Sequence, residues 1–481
     1  MKQFDMRDDK FQDECGVFGV ITTQRQVARL IHFGLFALQH RGQESAGMAV
    51  WDGADLNVRK GMGLVSDVFD DRNLDSLKGT QGVGHVRYST TGGSLLANAG
   101  PFDVDTELGF IVVAHNGNVV NAAELRQELN AQGVRLNSTT DSEVIAQVLA
   151  RAPGLTWPEK LYNGASRLRG AFSLSVLTRD KLYAIRDPFG IRPLCLGQMN
   201  DGDGWAISSE TCALDTIGAT YEREVEPGEI VELDVYGHTS LSRLPRWEAP
   251  EHQSALCAAE LFYIARPDSV IAGQSVYLIR ENLGRYLAKE HPVEADLVIG
   301  VPDSGIPAAT GYAQQSGLPY REGLIKNRYI GRTFIQPDQQ MRRRSVQLKL
   351  NPLRPMLEGK RVVVIDDSIV RGNTTKGIVH MLRTVGGAKE VHLRISAPPV
   401  LHPCVLGIDT GTYEELIGNR LTIEQIRQHV DADSLGYLSV ESFAEATGLP
   451  RNHVCLACFN GRYPVDFKYT PGGAKLALER A

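Results

Sequence analysis

Apolar positions follow two different patterns along the chain, and the change comes about half-way. In the first half, short runs typical of β-strands, such as 15–22 and 109–120, are bounded by Gly, Asn or Asp. Helical spacing interrupts them at 26–40 and 139–151, and the second of these helices is predicted to start with Asp141 as its N-cap. The first half is therefore predicted to be a sheet-rich α+β domain.

After about residue 240 the pattern changes. The polar, Pro-containing stretch 242–253 predicts a boundary, with one domain over 15–245 and another over 246–481. Beyond it, apolar runs at 295–302 and 360–368 alternate with helical segments. Such alternation is typical of an α/β domain with a central parallel sheet.

Composition narrows the class of protein. The 481 residues carry a net charge of -6, which gives no general attraction to nucleic acid or an anionic membrane. No apolar run reaches the roughly 18 residues that span a bilayer. Residues 1–14 hold five acidic and three basic side chains, unlike a secretion signal or a transit peptide. We expect a cytoplasmic protein whose seven cysteines stay reduced.

The most specific motif is 360–375, a buried strand that stops at Asp366 and Asp367 and is followed by a loop and a helix. Ligands of open α/β sheets bind outside the carboxyl ends of strands, and a helix N-terminus suits phosphate. Two adjacent acids beside a phosphate would repel it unless they face ribose hydroxyls or a hard cation such as Mg²⁺. The alternative is that the acids only cap the next helix.

This motif resembles the phosphoribosyl pyrophosphate (PRPP) signature of type I phosphoribosyltransferases, although Asn373 stands where many members have Thr. The strand end at 297–305 looks like the companion loop of that fold. The resemblance implies that Ser304, Asp366 and Asp367 hold Mg²⁺. It implies PRPP contacts from Asp303, Ser304, Lys326, Lys349, Asp366, Asp367, Ser368, Arg371, Gly372, Asn373, Thr374 and Thr375.

Between these two loops, residues 326–349 hold seven Lys or Arg and one acid, Asp338. A basic run is often only a solvated face. Its position between two ligand loops favours a lid that closes over pyrophosphate.

Four polar, Gly-rich loops in the first half carry groups suited to a free amino acid, at 40–47, 85–92, 114–121 and 139–143. Arg87 suits an α-carboxylate and Asp141 an α-ammonium group, and backbone groups around Gly42 add hydrogen bonds. Asn116 and Gly117 could donate to a tetrahedral oxyanion. The alternative is an inert sheet domain in which Cys15 is a small core residue.

Together with Cys15, these loops resemble the class II glutamine amidotransferases. The resemblance implies an N-terminal nucleophile (Ntn) fold, an αββα sandwich, in which residues 1–14 are a propeptide. It implies that Cys15, once N-terminal, is a nucleophile whose own α-amine is the base. It implies catalytic roles for Cys15, Asn116 and Gly117, and glutamine contacts from Arg41, Gly42, Arg87 and Asp141.

Four cysteines of the second half remain, Cys257, Cys404, Cys455 and Cys458. Four thiolates suit either structural zinc or a [4Fe–4S] cluster, and only one C-x-x-C pair is present. The arrangement resembles the amidotransferase branch that has both an acidic propeptide and a [4Fe–4S] cluster, which favours iron–sulfur. Cys195 and Cys212 are predicted to be core residues.

The two halves in this order resemble one family of amidotransferases, which makes 5-phosphoribosylamine, glutamate and pyrophosphate from glutamine, water and PRPP at the start of purine synthesis. The resemblance implies an internal ammonia channel, purine nucleotides as feedback inhibitors, and a homotetramer or homodimer. Two rivals are a PRPP-sensing regulatory protein without chemistry and an amidotransferase acting on another sugar phosphate.

Overall fold

The computed structural model describes residues 15–24, 26–88, 92–247, 252–327 and 349–467. The strands of the first domain are β1 (Gly16–Thr22), β2 (Ser45–Trp51), β3 (Leu56–Met62), β4 (Gln81–Arg87), β5 (Phe102–Thr106), β6 (Gly109–Val119), β7 (Gly170–Leu177), β8 (Leu182–Arg186), β9 (Cys195–Met199), β10 (Gly204–Ser208), β11 (Ala219–Glu224), β12 (Glu229–Leu233) and β13 (His238–Arg243). Its helices are α1 (Val27–Ala37), α2 (Val65–Val68), α3 (Asp71–Ser76), α4 (Ala122–Ala131), α5 (Asp141–Arg151), α6 (Trp157–Ala165) and α7 (Thr211–Thr216).

These strands form two stacked sheets. One has seven strands in the order β11-β9-β10-β1-β4-β2-β3, and the other has six in the order β13-β12-β8-β7-β6-β5. Apolar side chains of both sheets, among them Val17 and Val112, meet in one layer. Helices α1 and α7 cover the outer face of the first sheet, and α4, α5 and α6 cover the second. The predicted αββα sandwich is confirmed.

The second domain contains short strands and helices around one parallel sheet. Its strands are β14 (Leu256–Cys257), β15 (Val270–Ile271), β16 (Gln274–Ser275), β17 (Leu297–Gly300), β18 (Leu324–Lys326), β19 (Leu350–Pro352), β20 (Arg361–Asp366), β21 (Glu390–Ile395), β22 (Ser434–Tyr437) and β23 (Val454–Cys455). Its helices are α8 (Val276–Glu290), α9 (Ile306–Ser316), α10 (Arg354–Leu357), α11 (Asn373–Thr384), α12 (Ile417–Arg420), α13 (Ile423–Val430), α14 (Val440–Ala446) and α15 (Ala457–Asn460), and a π-helical turn spans Glu260–Ile264.

The sheet order β17-β20-β21-β22 is parallel throughout. Val363 and Ile365 of β20 pack on the side of α8 and α9, whereas Val362 and Val364 pack on the side of α11 and α13. Because both faces of β20 are covered, the strand is an uninterrupted apolar run. The predicted α/β domain with a central parallel sheet is confirmed.

The two domains share a core. Phe189 and Ile191 of the first domain belong to the same apolar cluster as Phe262 and Phe459 of the second. The backbone after the predicted boundary also pairs with the first domain, since the Cys257 N–H donates to the Ile191 carbonyl at 3.1 Å. The two domains therefore pack as one body, and the boundary at 245/246 stays a prediction.

One local prediction was wrong. The N-cap of α5 is Thr140, whose hydroxyl accepts the Ser142 N–H, and Asp141 is the first helical residue. Both residue types cap helices well, and the Asp141 carboxylate instead accepts the Val119 N–H of β6 at 3.0 Å. The aspartate is thereby turned toward the strand that carries Asn116. Among the described residues, no helix is long and apolar enough to cross a membrane.

Two candidate active sites

Cys15 stands immediately before β1, a central strand of its sheet. Its side chain is buried, and the thiol donates to the Tyr88 carbonyl at 3.6 Å. Because β4 pairs with β1 through Gly16 and Val86, the end of β4 holds Arg87 and Tyr88 close to the cysteine. Residues 1–14 lie outside the described part of the chain.

The guanidinium of Arg41, a predicted glutamine contact, faces other groups of the protein. Its side chain is fully buried, and Nε donates to the Cys15 carbonyl at 3.1 Å. The rest of its guanidinium binds Glu210 at 2.5 Å and Glu260 at 2.6 Å. These carboxylates already occupy the guanidinium, so Arg41 supports the cysteine from behind. Neither glutamate was identified from the sequence.

Arg87 is buried at the end of β4 and lies 3.7 Å from Glu44. It also donates to the carbonyl of Gly93 at 3.3 Å. A Cβ on Gly42 would lie 2.5 Å from the Arg87 backbone nitrogen, so only glycine fits there. The predicted pair Gly42 and Arg87 therefore lies together, at the end of β4 that approaches Cys15.

Asn98 ties the loop after Arg87 to the segment that carries Asp141, a role that the sequence did not reveal. Its amide donates to the Gly93 carbonyl at 2.8 Å and to the Thr139 hydroxyl at 3.0 Å. The Thr139 N–H donates back to Asn98 at 2.9 Å. The structure thus brings the predicted carboxylate-binding and ammonium-binding segments together.

Asn116 is fully buried in β6, and among the described residues neither its amide oxygen nor its amide nitrogen has a hydrogen-bond partner. An unsatisfied buried amide costs roughly 1–3 kcal/mol. The N–H groups of a strand alternate in direction, so that of Gly117 points to the same side as the Val119 N–H, which Asp141 accepts. Asn116 and Gly117 can therefore offer two donors to a ligand.

Two histidines flank this strand. His85 contacts the His115 carbonyl at 2.9 Å, and His115 contacts the Ser142 hydroxyl at 3.1 Å. Burial lowers the pKa of His115, and it lowers the pKa of His85 to about 3. Both imidazoles are therefore neutral near pH 7 and are poor bases, which is consistent with a base from another group.

The second site lies at the carboxyl end of β20. Asp366 and Asp367 are both buried. Asp367 accepts a hydrogen bond from the Ser368 hydroxyl at 2.6 Å and another from the Ser304 hydroxyl. Ser304 follows β17, the neighbouring parallel strand, so adjacent strand ends bring the two predicted loops together. Carboxylate and hydroxyl oxygens are ligands that suit Mg²⁺.

The loop after the acid pair enters α11 through Gly372, whose φ is +88°. A Cβ there would lie 2.7 Å from Ile417 Cδ1, so the position favours glycine in conformation and in space. Asn373, Thr374 and Thr375 form the first turn of α11. Their N–H groups start the helix and suit a phosphate. Arg371, just before Gly372, lies 3.4 Å from Glu415.

Lys326 forms an ion pair with Asp303 at the rim of this site. Asn327 donates its N–H to the Lys349 carbonyl at 2.8 Å, next to the pairing of β18 with β19. These strands hold both ends of the basic segment near Asp303. Residues 328–348, most of the predicted lid, lie outside the described residues.

The four cysteines predicted as cluster ligands line one cavity, together with apolar side chains that include Ile191 and Leu406. The parallel pairing of β14 with β23 sets Cys257 opposite Cys455. Burial raises the pKa of the Cys455 thiol to about 12 and also raises that of Cys458. Within the described ranges, no group of three or more His, Cys, Asp or Glu side chains is arranged to hold a metal ion.

Comparison with known proteins agrees with this division. Residues 94–216 match the glutamine amidotransferase domain family, and residues 272–397 match the phosphoribosyl transferase domain family. The matches define the class of the protein as a glutamine amidotransferase joined to a phosphoribosyltransferase.

Relatives of nearly the same length share both domains. The amidophosphoribosyltransferase of Synechococcus elongatus is 51% identical over 98% of this chain and 96% of its own length. That of Methanocaldococcus jannaschii is 48% identical over 95% of this chain and 98% of its own. The chain belongs to the amidophosphoribosyltransferase family.

Solved structures give the same result. The glutamine PRPP amidotransferase of B. subtilis, solved in complex with ADP and GMP, matches with a TM-score of 0.88 and 44% identity, over 96% of this chain and 100% of the other. A structure described as the allosteric regulatory enzyme of purine biosynthesis matches with a TM-score of 0.89 and 44% identity, over 96% and 99% of the two chains.

Proposed function

We propose that the chain catalyses the reaction of its family, in which glutamine, water and PRPP give 5-phosphoribosylamine, glutamate and pyrophosphate. The observation that carries the proposal is the amide of Asn116, which has no hydrogen-bond partner among the described residues and is buried in the domain that also holds Cys15. A PRPP-sensing protein without chemistry would not need such a donor. An amidotransferase for another sugar phosphate would not need the acid pair Asp366 and Asp367.

In the glutaminase half, removal of residues 1–14 would free the α-amine of Cys15. That amine takes the thiol proton, and the sulfur attacks the side-chain amide carbon of glutamine. Asn116 and Gly117 donate to the oxyanion, and each such donor is typically worth roughly 3–4 kcal/mol of barrier. Ammonia leaves with the proton, and water then hydrolyses the thioester to glutamate.

Glutamine is oriented by its α-substituents. Arg87 binds the α-carboxylate and Asp141 binds the α-ammonium group. Because Gly42 has no side chain, its own loop can pack directly against the Arg87 backbone. Two charged contacts at one end of a flexible substrate fix the other end against the nucleophile. Asn98 fixes the distance between the loop after Arg87 and the segment that carries Asp141.

In the synthase half, the PRPP contacts remain those predicted from the sequence. Ser304, Asp366 and Asp367 would hold Mg²⁺, which supplies countercharge to the leaving pyrophosphate. The first turn of α11 binds the 5-phosphate through its N–H groups. Lys326 and Lys349 bind the pyrophosphate and help to exclude water from the electron-poor sugar carbon.

Ammonia would pass between the sites inside the protein. Protonated ammonia is not a nucleophile, so transfer without release keeps it reactive. The shared core supports this, because Gly407 of the second domain packs on Gly117. A Cβ added at Gly407 would lie 3.0 Å from the Gly117 carbonyl carbon. Isotopically labelled external ammonium should not enter the product made from glutamine. Full mixing would exclude a closed path.

The nucleophile can be tested at the N-terminus. Mass spectrometry of active enzyme should find Cys15 as the first residue, because an acylated α-amine cannot serve as the base. Glutaminase activity of the same sample, with and without PRPP, identifies the active species. Full activity in a chain that still begins at Met1 would overturn the proposed nucleophile.

The four cysteines Cys257, Cys404, Cys455 and Cys458 would hold a [4Fe–4S] cluster. They line one cavity, and only one C-x-x-C pair is present, whereas a zinc ribbon would use two. The reaction has no redox step, so the cluster would be structural.

Iron and sulfide analysis of anaerobically purified enzyme should find about four of each per chain, with brown absorbance. Cys458→Ser should lower the iron content and the thermal midpoint. The matched control Cys212→Ser changes a buried thiol elsewhere and should keep the iron. Zinc in place of iron would contradict the proposal.

Regulation and assembly are also proposed from the family. The B. subtilis relative was solved with ADP and GMP, so purine nucleotides are proposed as feedback inhibitors of this chain. Inhibition of synthesis by ADP and GMP tests this. A homodimer or homotetramer is proposed from the same resemblance, and a cytoplasmic location is a separate proposal. Light scattering measures the number of subunits.

A further inference from the structure

A buried ionic cluster joins the two domains directly behind Cys15. It consists of Arg41 and Glu210 of the first domain and Glu260 of the second, and all three side chains are fully buried. Arg192 of the first domain approaches Glu260 at 3.6 Å. Glu260 lies 219 residues after Arg41, so the contact depends on domain packing.

Glu260 fixes the orientation of the Arg41 guanidinium. Its two carboxylate oxygens accept from Nη2 at 2.6 Å and from Nη1 at 3.0 Å. Such a bidentate pair sets the plane of the guanidinium, and therefore the direction of its Nε–H. That Nε–H donates to the carbonyl of Cys15 at 3.1 Å. Glu260 thus acts on the nucleophile through a single intervening side chain.

Glu210 completes the charge balance. Burial alone would raise its pKa, but attraction to His40 and Arg41 holds the pKa of Glu210 well below its usual range. Its other oxygen accepts from the Ser269 hydroxyl at 2.7 Å and from the Arg266 N–H at 2.9 Å, both in the second domain. Removing one member of such a group leaves an uncompensated buried charge.

Glu260 begins the π-helical turn Glu260–Ile264, and this turn is itself held in place. Arg280 of α8 donates to the Leu261 carbonyl at 2.9 Å and to the Ala265 carbonyl at 2.7 Å. Burial lowers the pKa of Arg280 to about 10, although the negative charge of Asp367 acts to raise it. Arg280 therefore holds the turn that begins at Glu260 through two of its carbonyl groups.

We propose that Glu260 is a positioning residue of the glutaminase, contributed by the second domain. The proposal rests on the function proposed above. It follows that Cys15 supplies the nucleophilic sulfur, whereas the alignment of that sulfur with the amide carbon of glutamine depends on how the two domains pack. Loss of Glu260 should therefore affect the rate of thioester formation more than the binding of glutamine, which Arg87 and Asp141 hold.

The test is Glu260→Gln in the full chain. We expect kcat for glutamine hydrolysis to fall by roughly 100-fold, the scale of loss that a displacement of about 1 Å produces. KM for glutamine and ammonia-driven synthesis should stay near those of the unchanged enzyme. Alkylation of Cys15 by a diazoketone analogue of glutamine, followed by mass spectrometry, should slow with kcat. A purely structural role would lower both activities together.

The matched control is Glu229→Gln. Glu229 is buried and accepts from Arg223 at 2.8 and 2.9 Å, which is the same bidentate geometry without contact to Cys15. This change should leave kcat for glutamine hydrolysis unaltered. Glu260→Asp keeps the charge and withdraws it by one methylene, so it should show the same split even if the Gln variant fails to fold.

Unchanged glutamine hydrolysis in Glu260→Asp, or equal loss of both activities in a Glu260→Gln variant whose circular dichroism shows that it is folded, would overturn the positioning role. Either result would leave Cys15 as the nucleophile. By contrast, normal glutamine hydrolysis in Cys15→Ala would overturn the proposed function itself, so the two failures are distinguishable.

Discussion

Cys15→Ala is expected to lose glutamine hydrolysis by roughly 10⁴-fold or more, because removal of a nucleophile leaves only binding and the oxyanion donors. Synthesis driven by ammonium salts should continue at the normal rate, since the acid pair lies in the other domain. Both rates are measured on the same sample, glutamate release from glutamine and pyrophosphate release from PRPP with ammonium. The second rate also shows that the variant is folded.

Two controls sharpen this experiment. Cys195→Ala removes a buried thiol of the same domain, whose sulfur lies 3.3 Å from the Ser208 carbonyl, and should keep both activities. Chains that begin at residue 15 make the comparison independent of propeptide removal. If Cys15→Ala consumed glutamine normally in that form, another group would have to be the nucleophile.

The parts of the glutamine site that could be predicted from the sequence are those in which a single loop carries a group with an obvious chemical use. Arg87 ends β4 and Asp141 begins α5, and a strand or helix end is recognisable from local spacing, whereas Asn116 lies inside β6. Arg41 could not be interpreted in this way. Its partners Glu210 and Glu260 are 169 and 219 residues away, so only the packed structure reveals that the guanidinium is already occupied.

The α5 terminus shows the same limit on a smaller scale. Thr140 and Asp141 are adjacent and both suit an N-cap, so local rules cannot choose between them. The choice is made by Val119, whose N–H binds the Asp141 carboxylate from another element. A tertiary hydrogen bond therefore decides a local feature, and the same bond turns a helix-capping residue toward the glutamine site.

The cysteine cavity depends on strands too short to predict. Cys257 and Cys455 lie in two-residue strands that pair only when the domain is assembled. The C-x-x-C pair could be identified from the sequence, Cys257 and Cys404 were the remaining cysteines of the second half, and the family resemblance favoured iron–sulfur over zinc. No local pattern connects Cys404 to them, because it lies in an irregular segment whose Leu406 carbonyl accepts from Arg192 at 2.6 Å.

The segment that carries Cys404 also contacts β6 of the first domain. Val405 accepts from the Asn118 side chain at 2.8 Å, and Gly407 packs on Gly117. The loop that carries Cys404 thus packs against the strand of Asn116 and Gly117, the proposed oxyanion donors, while Glu260 lies behind Cys15, the proposed nucleophile. The second domain therefore contacts both halves of the glutaminase site.

Asp367→Asn is expected to reduce synthesis of 5-phosphoribosylamine by roughly 10²- to 10³-fold with either nitrogen source, the scale of loss for a preorganised electrostatic contact. The neutral amide keeps the shape of the side chain but cannot accept from both Ser304 and Ser368 while it binds a cation. Glutamine hydrolysis without PRPP should be unchanged. The two half-reactions would then fail separately, Cys15→Ala losing one and Asp367→Asn the other.

The matched control for this change is Asp296→Asn. Asp296 lies just before β17, at the opposite end of the same parallel sheet, and accepts from the Arg361 N–H at 2.8 Å. It should keep ammonia-driven synthesis. Two adjacent buried carboxylates repel each other, so the thermal midpoint of Asp367→Asn should not fall even though synthesis does. Retention of normal synthesis in Asp367→Asn would show that the strand-end acids do not hold the substrate or its metal.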